Sequence, residues 1–126
     1  MKNLLKTVVL AITLITGYSA TAQQPGYHDV QVSEFETLVK AGAGTVLDVR
    51  TPKEFAEGHL NGAVNINYFD KDFKAQVAKL DKSKPVYVYC HSGGRSAKAM
   101  TIMQGEGFKT VYNLTGGYSA WKSVHK

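Results

Sequence analysis

Apolar and polar positions along this chain follow two rhythms. Thr45 to Val49 is a β-branched apolar run and reads as a buried strand. Ala63 to Ile66, Val86 to Tyr89 and Thr110 to Leu114 read as further strands. Between them, apolar residues return every three or four positions. Phe35, Leu38 and Val39 share one helical face, and Phe73, Val77 and Leu80 share another within Asp70 to Leu80. Ser96 to Gln104 predicts a helix with Ala97, Met100 and Met103 turned inward. Strands alternating with helices predict an α/β fold around a largely parallel sheet.

Polar punctuation sharpens the boundaries. Val30 to Val32 predicts a first edge strand. Ser33 with Glu36 three residues on has the form of a capping box, and Gly42 to Gly44 stops the helix that follows. Thr51, Pro52 and Glu54 predict a second capped helix start, with the short helix running through Phe55 and ending near Gly58. Pro85 opens the strand that ends at Cys90. Gly105 and Gly107 end the Ser96 helix, and Gly116-Gly117 precedes a short final helix holding Tyr118 and Trp121. No internal repeat breaks this order.

The first 22 of the 126 residues fit neither rhythm. Lys2 and Lys6 give a basic start, Val8 to Ile15 is mostly apolar, and Ala20-Thr21-Ala22 supplies small residues for cleavage. The apolar run is short for a membrane span. The expectation is a signal peptide over residues 1–22, one domain over 23–126, and a periplasmic or secreted protein with no stable membrane anchor after cleavage. The whole chain has 15 basic and 10 acidic residues, a net charge of +5. Its lysines are scattered and no basic run alternates with aromatics, which leaves little basis for a nucleic-acid partner. A mild positive field still favours small anionic substrates. The four histidines lack metal-ligand spacing, so neither a metal nor a cofactor is expected.

Cys90 is the chain's one cysteine, so it cannot be half of an internal disulfide. It is either an inert packing residue or a reactive thiol. Its position argues for reactivity, because ligands in open α/β sheets bind beyond the carboxyl ends of strands. His91, Ser92, Gly93, Gly94 and Arg95 form a tight loop after the thiol, and Ser96 is placed to cap the next helix. The two glycines allow successive N–H groups to turn inward as an anion nest, and the helix N-terminus adds to it. A thiolate or persulfide there gains stability, and its pKa falls. Arg95 offers a planar fork for sulfonate or phosphate oxygens.

Residues 45 to 122 resemble a rhodanese domain. The resemblance rests on Leu47-Asp48-Val49-Arg50 with Glu54-Phe55 and Gly58-His59-Leu60, on Gly62 to Ile66, on Cys90 to Ser96, and on Gly116 to Trp121. It implies a central five-stranded, mainly parallel sheet with helices on both faces. It also implies that Asp48 supports the loop through Arg95, that Arg50 orders the site in company with Glu54, and that His59 makes a local hydrogen bond; for Arg50 the preferred reading is an ordinary ion pair near the strand end. Four residues separate Cys90 from Arg95. Cysteine-dependent phosphatases sharing the fold place one more there, which widens the cradle for a tetrahedral phosphate. Phosphatase or arsenate-reductase chemistry therefore ranks below sulfur transfer.

The implied reaction is ping-pong. The Cys90 thiolate takes a sulfane sulfur from an anionic donor such as thiosulfate, and cyanide or a thiol then removes it. His91 to Ser96 bind substrate and charge, with Lys98 a weaker attractor of the donor. The alternative is a carrier without turnover that receives sulfur and hands it to a protein acceptor. Either role requires that Cys90 be reachable and that the neighbouring amides aim at its sulfur.

Overall fold

A computed structural model describes residues 23–126. The expected signal peptide lies outside the described residues. Five strands form the sheet: β1 (Gly26–Val30), β2 (Thr45–Asp48), β3 (Val64–Asn65), β4 (Val86–Tyr89) and β5 (Thr110–Leu114). Their order across the sheet is β1-β5-β4-β2-β3, and every neighbouring pair is parallel. The helices are α1 (Val32–Ala41), α2 (Pro52–Ala56), α3 (Phe73–Val77), α4 (Gly94–Gly105) and α5 (Gly117–Val124). Among the described residues, no helix is long and apolar enough to cross a membrane.

The central strand shows why two helical layers are needed. All four residues of β4 are fully buried, and successive side chains leave opposite faces. Val86 and Val88 pack with Phe73 and Val77 of α3 and Ala99 and Met103 of α4. Tyr87 and Tyr89 pack the other way, with Phe35 and Leu38 of α1 and, at the rim, Tyr118 and Trp121 of α5. A parallel sheet covered on both faces demands this near-continuous apolar composition.

Several boundaries differ from the sequence reading. The first strand is Gly26–Val30, and Val32 instead opens α1 with its side chain in the core. Partnership dictates this shift: Gly26 to Val30 runs in register with Thr110 to Leu114, although it carries little apolar alternation of its own. The Ser33–Glu36 capping box does not form, because Ser33 already lies inside the helix and Gln31 is the N-cap. The box at Thr51 and Glu54 does form, with Glu54 N donating to Thr51 Oγ1 and Thr51 N donating to Glu54 Oε1. In α4 the buried residues are Ser96, Ala99 and Met103. Ala97 is exposed, because starting the helix at Gly94 rotates the apolar face away from it.

Candidate functional site

Cys90 leaves the end of β4 and the chain turns at once into α4. The turn depends on Gly93, whose φ of 113° and ψ of −14° lie in left-handed space. Gly94 has no such angle, and a Cβ there would meet nothing within 4 Å, so only one of the paired glycines is conformationally required. This turn brings the amide of Gly93 to 3.0 Å from Cys90 Sγ. Ser96 does not cap the helix. It is fully buried in the first turn, where its hydroxyl lies 3.3 Å from Cys90 Sγ and 3.2 Å from the Gly93 carbonyl oxygen.

These donors set the thiol's acidity. Burial pushes the Cys90 pKa up, but the Ser96 hydroxyl and the amides of Ser96, Gly93 and Ser92 more than offset it, leaving the pKa below its ordinary value of 9.0. Thiolate absorbance should therefore titrate with a midpoint below that of a free cysteine. In Ser96→Ala the midpoint should move up and the thiolate fraction at neutral pH should fall. An ultraviolet titration of both proteins checks the direction, and an unmoved midpoint would deny Ser96 its role.

The loop is gripped from behind by α5. Tyr118 N donates to the Cys90 carbonyl oxygen at 2.8 Å, and Ser119 N donates to the His91 carbonyl oxygen at 3.0 Å. No peptide bond among the described residues is cis, and in a trans peptide C=O and N–H point opposite ways. Holding the His91 carbonyl toward α5 therefore turns the Ser92 N–H away from α5, toward the sulfur. The approach is close enough that a Cβ on Gly117 would sit 2.5 Å from the Cys90 carbonyl oxygen and 2.7 Å from the His91 carbonyl. In the sequence, Gly116-Gly117 reads only as a helix boundary. Two consecutive glycines after a buried strand are the signal for this grip.

The ion pairs differ from those the family resemblance implies, while Arg50 does form the ordinary ion pair near a strand end. Arg95 forks onto Glu54, with Nη1–Oε1 at 2.8 Å and Nη2–Oε2 at 3.0 Å, and not onto Asp48. This fork is the main reason the Glu54 carboxyl falls to about 2, helped by the Thr51 bonds and opposed by partial burial. Arg50 pairs with Asp48, not Glu54. Its Nη2 lies 2.7 Å from Asp48 Oδ2 and also 2.7 Å from the Gly58 carbonyl oxygen. Both members are buried, and the guanidinium lies over the Tyr118 ring at 4.4 Å. Asp48 and Arg50 thus tie the end of β2 to the Gly58 turn and to α5. His59 makes the expected local bond, with Nδ1 2.8 Å from the Phe55 carbonyl oxygen.

The loop's outer residues face outward. His91, Ser92, Gly94 and Lys98 are exposed, while Gly93 and Arg95 are half-buried. Beside the loop lies a 240 Å³ pocket lined by Arg50, Glu54, Glu57, His91, Tyr118 and Lys122. Cys90 itself is only 1% exposed, less than the sequence reading requires of a reachable thiol, although the amides do converge on it. Among the described residues, no group of three or more His, Cys, Asp or Glu side chains is arranged to hold a metal ion.

Comparison with known proteins agrees with this architecture. The family described as Rhodanese-like domain matches residues 31–124. Thiosulfate sulfurtransferase 16, chloroplastic, of Arabidopsis thaliana is 42% identical over 102 residues, covering 73% of this chain and 84% of that protein. Thiosulfate sulfurtransferase GlpE of Pseudomonas entomophila is 33% identical over 102 residues, covering 75% and 91%. The crystal structure of a rhodanese-related protein from Thermoplasma volcanium superposes with a TM-score of 0.69 at 28% identity, covering 78% of this chain and 93% of that one.

Proposed function

Because the chain belongs to the rhodanese-like domain family, we propose that it is a sulfurtransferase that moves a sulfane sulfur from a donor such as thiosulfate through a Cys90 persulfide to cyanide or a thiol. One observation carries this reading: the Gly93 amide and the Ser96 hydroxyl both reach Cys90 Sγ, at 3.0 and 3.3 Å. Such donors stabilise an anion held on sulfur before and after the added atom arrives.

In the first half-reaction, the Cys90 thiolate attacks the outer sulfur of thiosulfate. A new S–S bond forms, the bond to the sulfonate sulfur breaks, and sulfite leaves with that electron pair. In the second, the acceptor attacks the terminal sulfur of the persulfide, and Cys90 departs as thiolate. The amides of Ser92, Gly93 and Ser96 serve both steps. Arg95 is held by Glu54, so its part is to secure the loop and lend charge to the donor's approach, not to fork a sulfonate by itself. Since Glu54 stays ionised down to about 2, a loss of activity on mild acidification should come from protonation of Cys90 and not from release of Arg95.

The test is direct. Protein incubated with thiosulfate should gain the mass of one sulfur atom, and added cyanide should release it as thiocyanate. Failure to gain sulfur would refute the proposal, and gain without release would leave a carrier in its place. We also propose that residues 1–22 are removed on export, to the periplasm or outside the cell, leaving a domain that begins at Gln23. That residue is tied into the fold, accepting from Tyr87 Oη at 2.8 Å and donating to the Leu38 carbonyl oxygen at 3.0 Å. The mass of the protein recovered from the exported fraction checks the cleavage point.

A further inference from the structure

The pocket beside the loop contains two charges without an ion-pair partner among the described residues. Arg50 is committed to Asp48 and Glu54 to Arg95, so these groups are neutralised within the protein. Glu57 and Lys122 line the same space and form no ion pair among the described residues. The Lys122 ammonium lies over the face of Tyr118, at 5.6 Å from the ring centre. The two residues come from different elements. Glu57 is the C-cap of α2 and Lys122 lies in the last turn of α5. His91, immediately after Cys90, borders the pocket with them. At 240 Å³ the space falls below the roughly 300 Å³ at which sites for drug-sized ligands begin, and it suits a molecule of amino-acid size.

We infer that this pocket is an acceptor subsite for small amino thiols bearing both an ammonium and a carboxylate, the class to which cysteine belongs, with Glu57 receiving the ammonium and Lys122 the carboxylate. The inference rests on the sulfur-transfer reading and deepens its second half-reaction. An acceptor with a single charge leaves one of the two residues unanswered, and cyanide makes no use of the pair. The arrangement therefore selects among acceptors. Transfer is balanced without a further reagent. The acceptor thiol passes its proton to the terminal sulfur of the persulfide anion as its own sulfur attacks that atom, the S–S bond to Cys90 breaks, and Cys90 keeps that electron pair as thiolate. The acceptor leaves as its own persulfide, carrying the proton. The added sulfur projects beyond Sγ, so the acceptor need not reach the buried cysteine atom itself.

The experiment discharges pre-loaded persulfide in single turnovers with cysteine, cysteamine and 3-mercaptopropionate, after correction for thiol basicity. Cysteine should be fastest. Glu57→Gln should lower the rate with cysteamine relative to 3-mercaptopropionate by about threefold, and Lys122→Met should shift the same ratio about threefold the other way, the size expected of exposed ion pairs. Rates that follow thiol basicity alone, with ratios unmoved in both variants, would overturn the inference. A protein that takes up no sulfur would defeat the sulfur-transfer reading instead. The subsite would then be judged by S-methylcysteine, which cannot accept sulfur. Amide shifts at residues 57, 91 and 122, lost in both variants, would support it, and their absence would refute it.

Discussion

Replacing Cys90 by serine should abolish sulfur uptake and leave the fold in place. A serine hydroxyl stays protonated at any working pH and does not form the sulfur–sulfur bond that stores the transferred atom. Turnover should fall by at least about a thousandfold, the scale seen when a nucleophile is removed. Stability should change by no more than about 1 kcal/mol, because the smaller oxygen inherits the Gly93 amide and the Ser96 hydroxyl as partners. Intact mass after thiosulfate treatment and a denaturant melt read the two effects separately. Residual uptake near the parent level would mean that another group carries the sulfur.

Gly117→Ala should damage both stability and chemistry from a position that contributes no side chain. Its φ of 58° is left-handed, which costs an alanine about 1 kcal/mol. The new methyl would also meet the backbone of Cys90 and His91 at 2.5 to 2.7 Å, and backbone cannot swing aside as a side chain can. Strain and overpacking together should cost about 2 to 4 kcal/mol. If α5 is pushed back, Tyr118 N and Ser119 N lose their carbonyls and the Ser92 amide loses its aim. Misplacement of that kind should slow sulfur uptake about a hundredfold in whatever protein remains folded. Gly105→Ala is the control, since a methyl added there would meet nothing within 4 Å and its φ is not left-handed. It should be neutral or slightly stabilising in a melt. Equal behaviour of the two variants would remove the argument for the grip.

The helices and central strands are legible in the sequence because their signals are local. The β-branched run at Val86 to Tyr89 needs no partner to identify it, and the Thr51–Glu54 box is complete within four neighbouring positions. Pairing at a distance is what the sequence hides. Gly26 to Val30 becomes a strand only because β5 lies beside it. Glu54 reads as a capping residue, yet its carboxylate has room for Thr51 and Arg95 together, and sequence spacing says nothing of a partner 41 residues away. The family resemblance puts Asp48 and Arg50 in the right neighbourhood with the wrong partners, whereas the plainer reading of Arg50, an ion pair near a strand end, is the one that forms. Their own alternation explains the true pairing, since residues two apart at a strand end leave on the same side. The grip of α5 on the loop is invisible for the same reason: it uses main-chain atoms of Tyr118 and Ser119, which any residues would supply.

Seating the thiol so deep that only 1% of its residue meets solvent makes girth a filter on its covalent encounters. A bulky disulfide, such as one on the surface of another protein, cannot bring its sulfur within bonding range of Sγ without prising the turn open. A slender anion whose reactive sulfur stands at its tip meets far less of that obstruction. The lone thiol is thus shielded from scrambling by its larger neighbours, and the reagent its setting favours is one atom wide at the leading end.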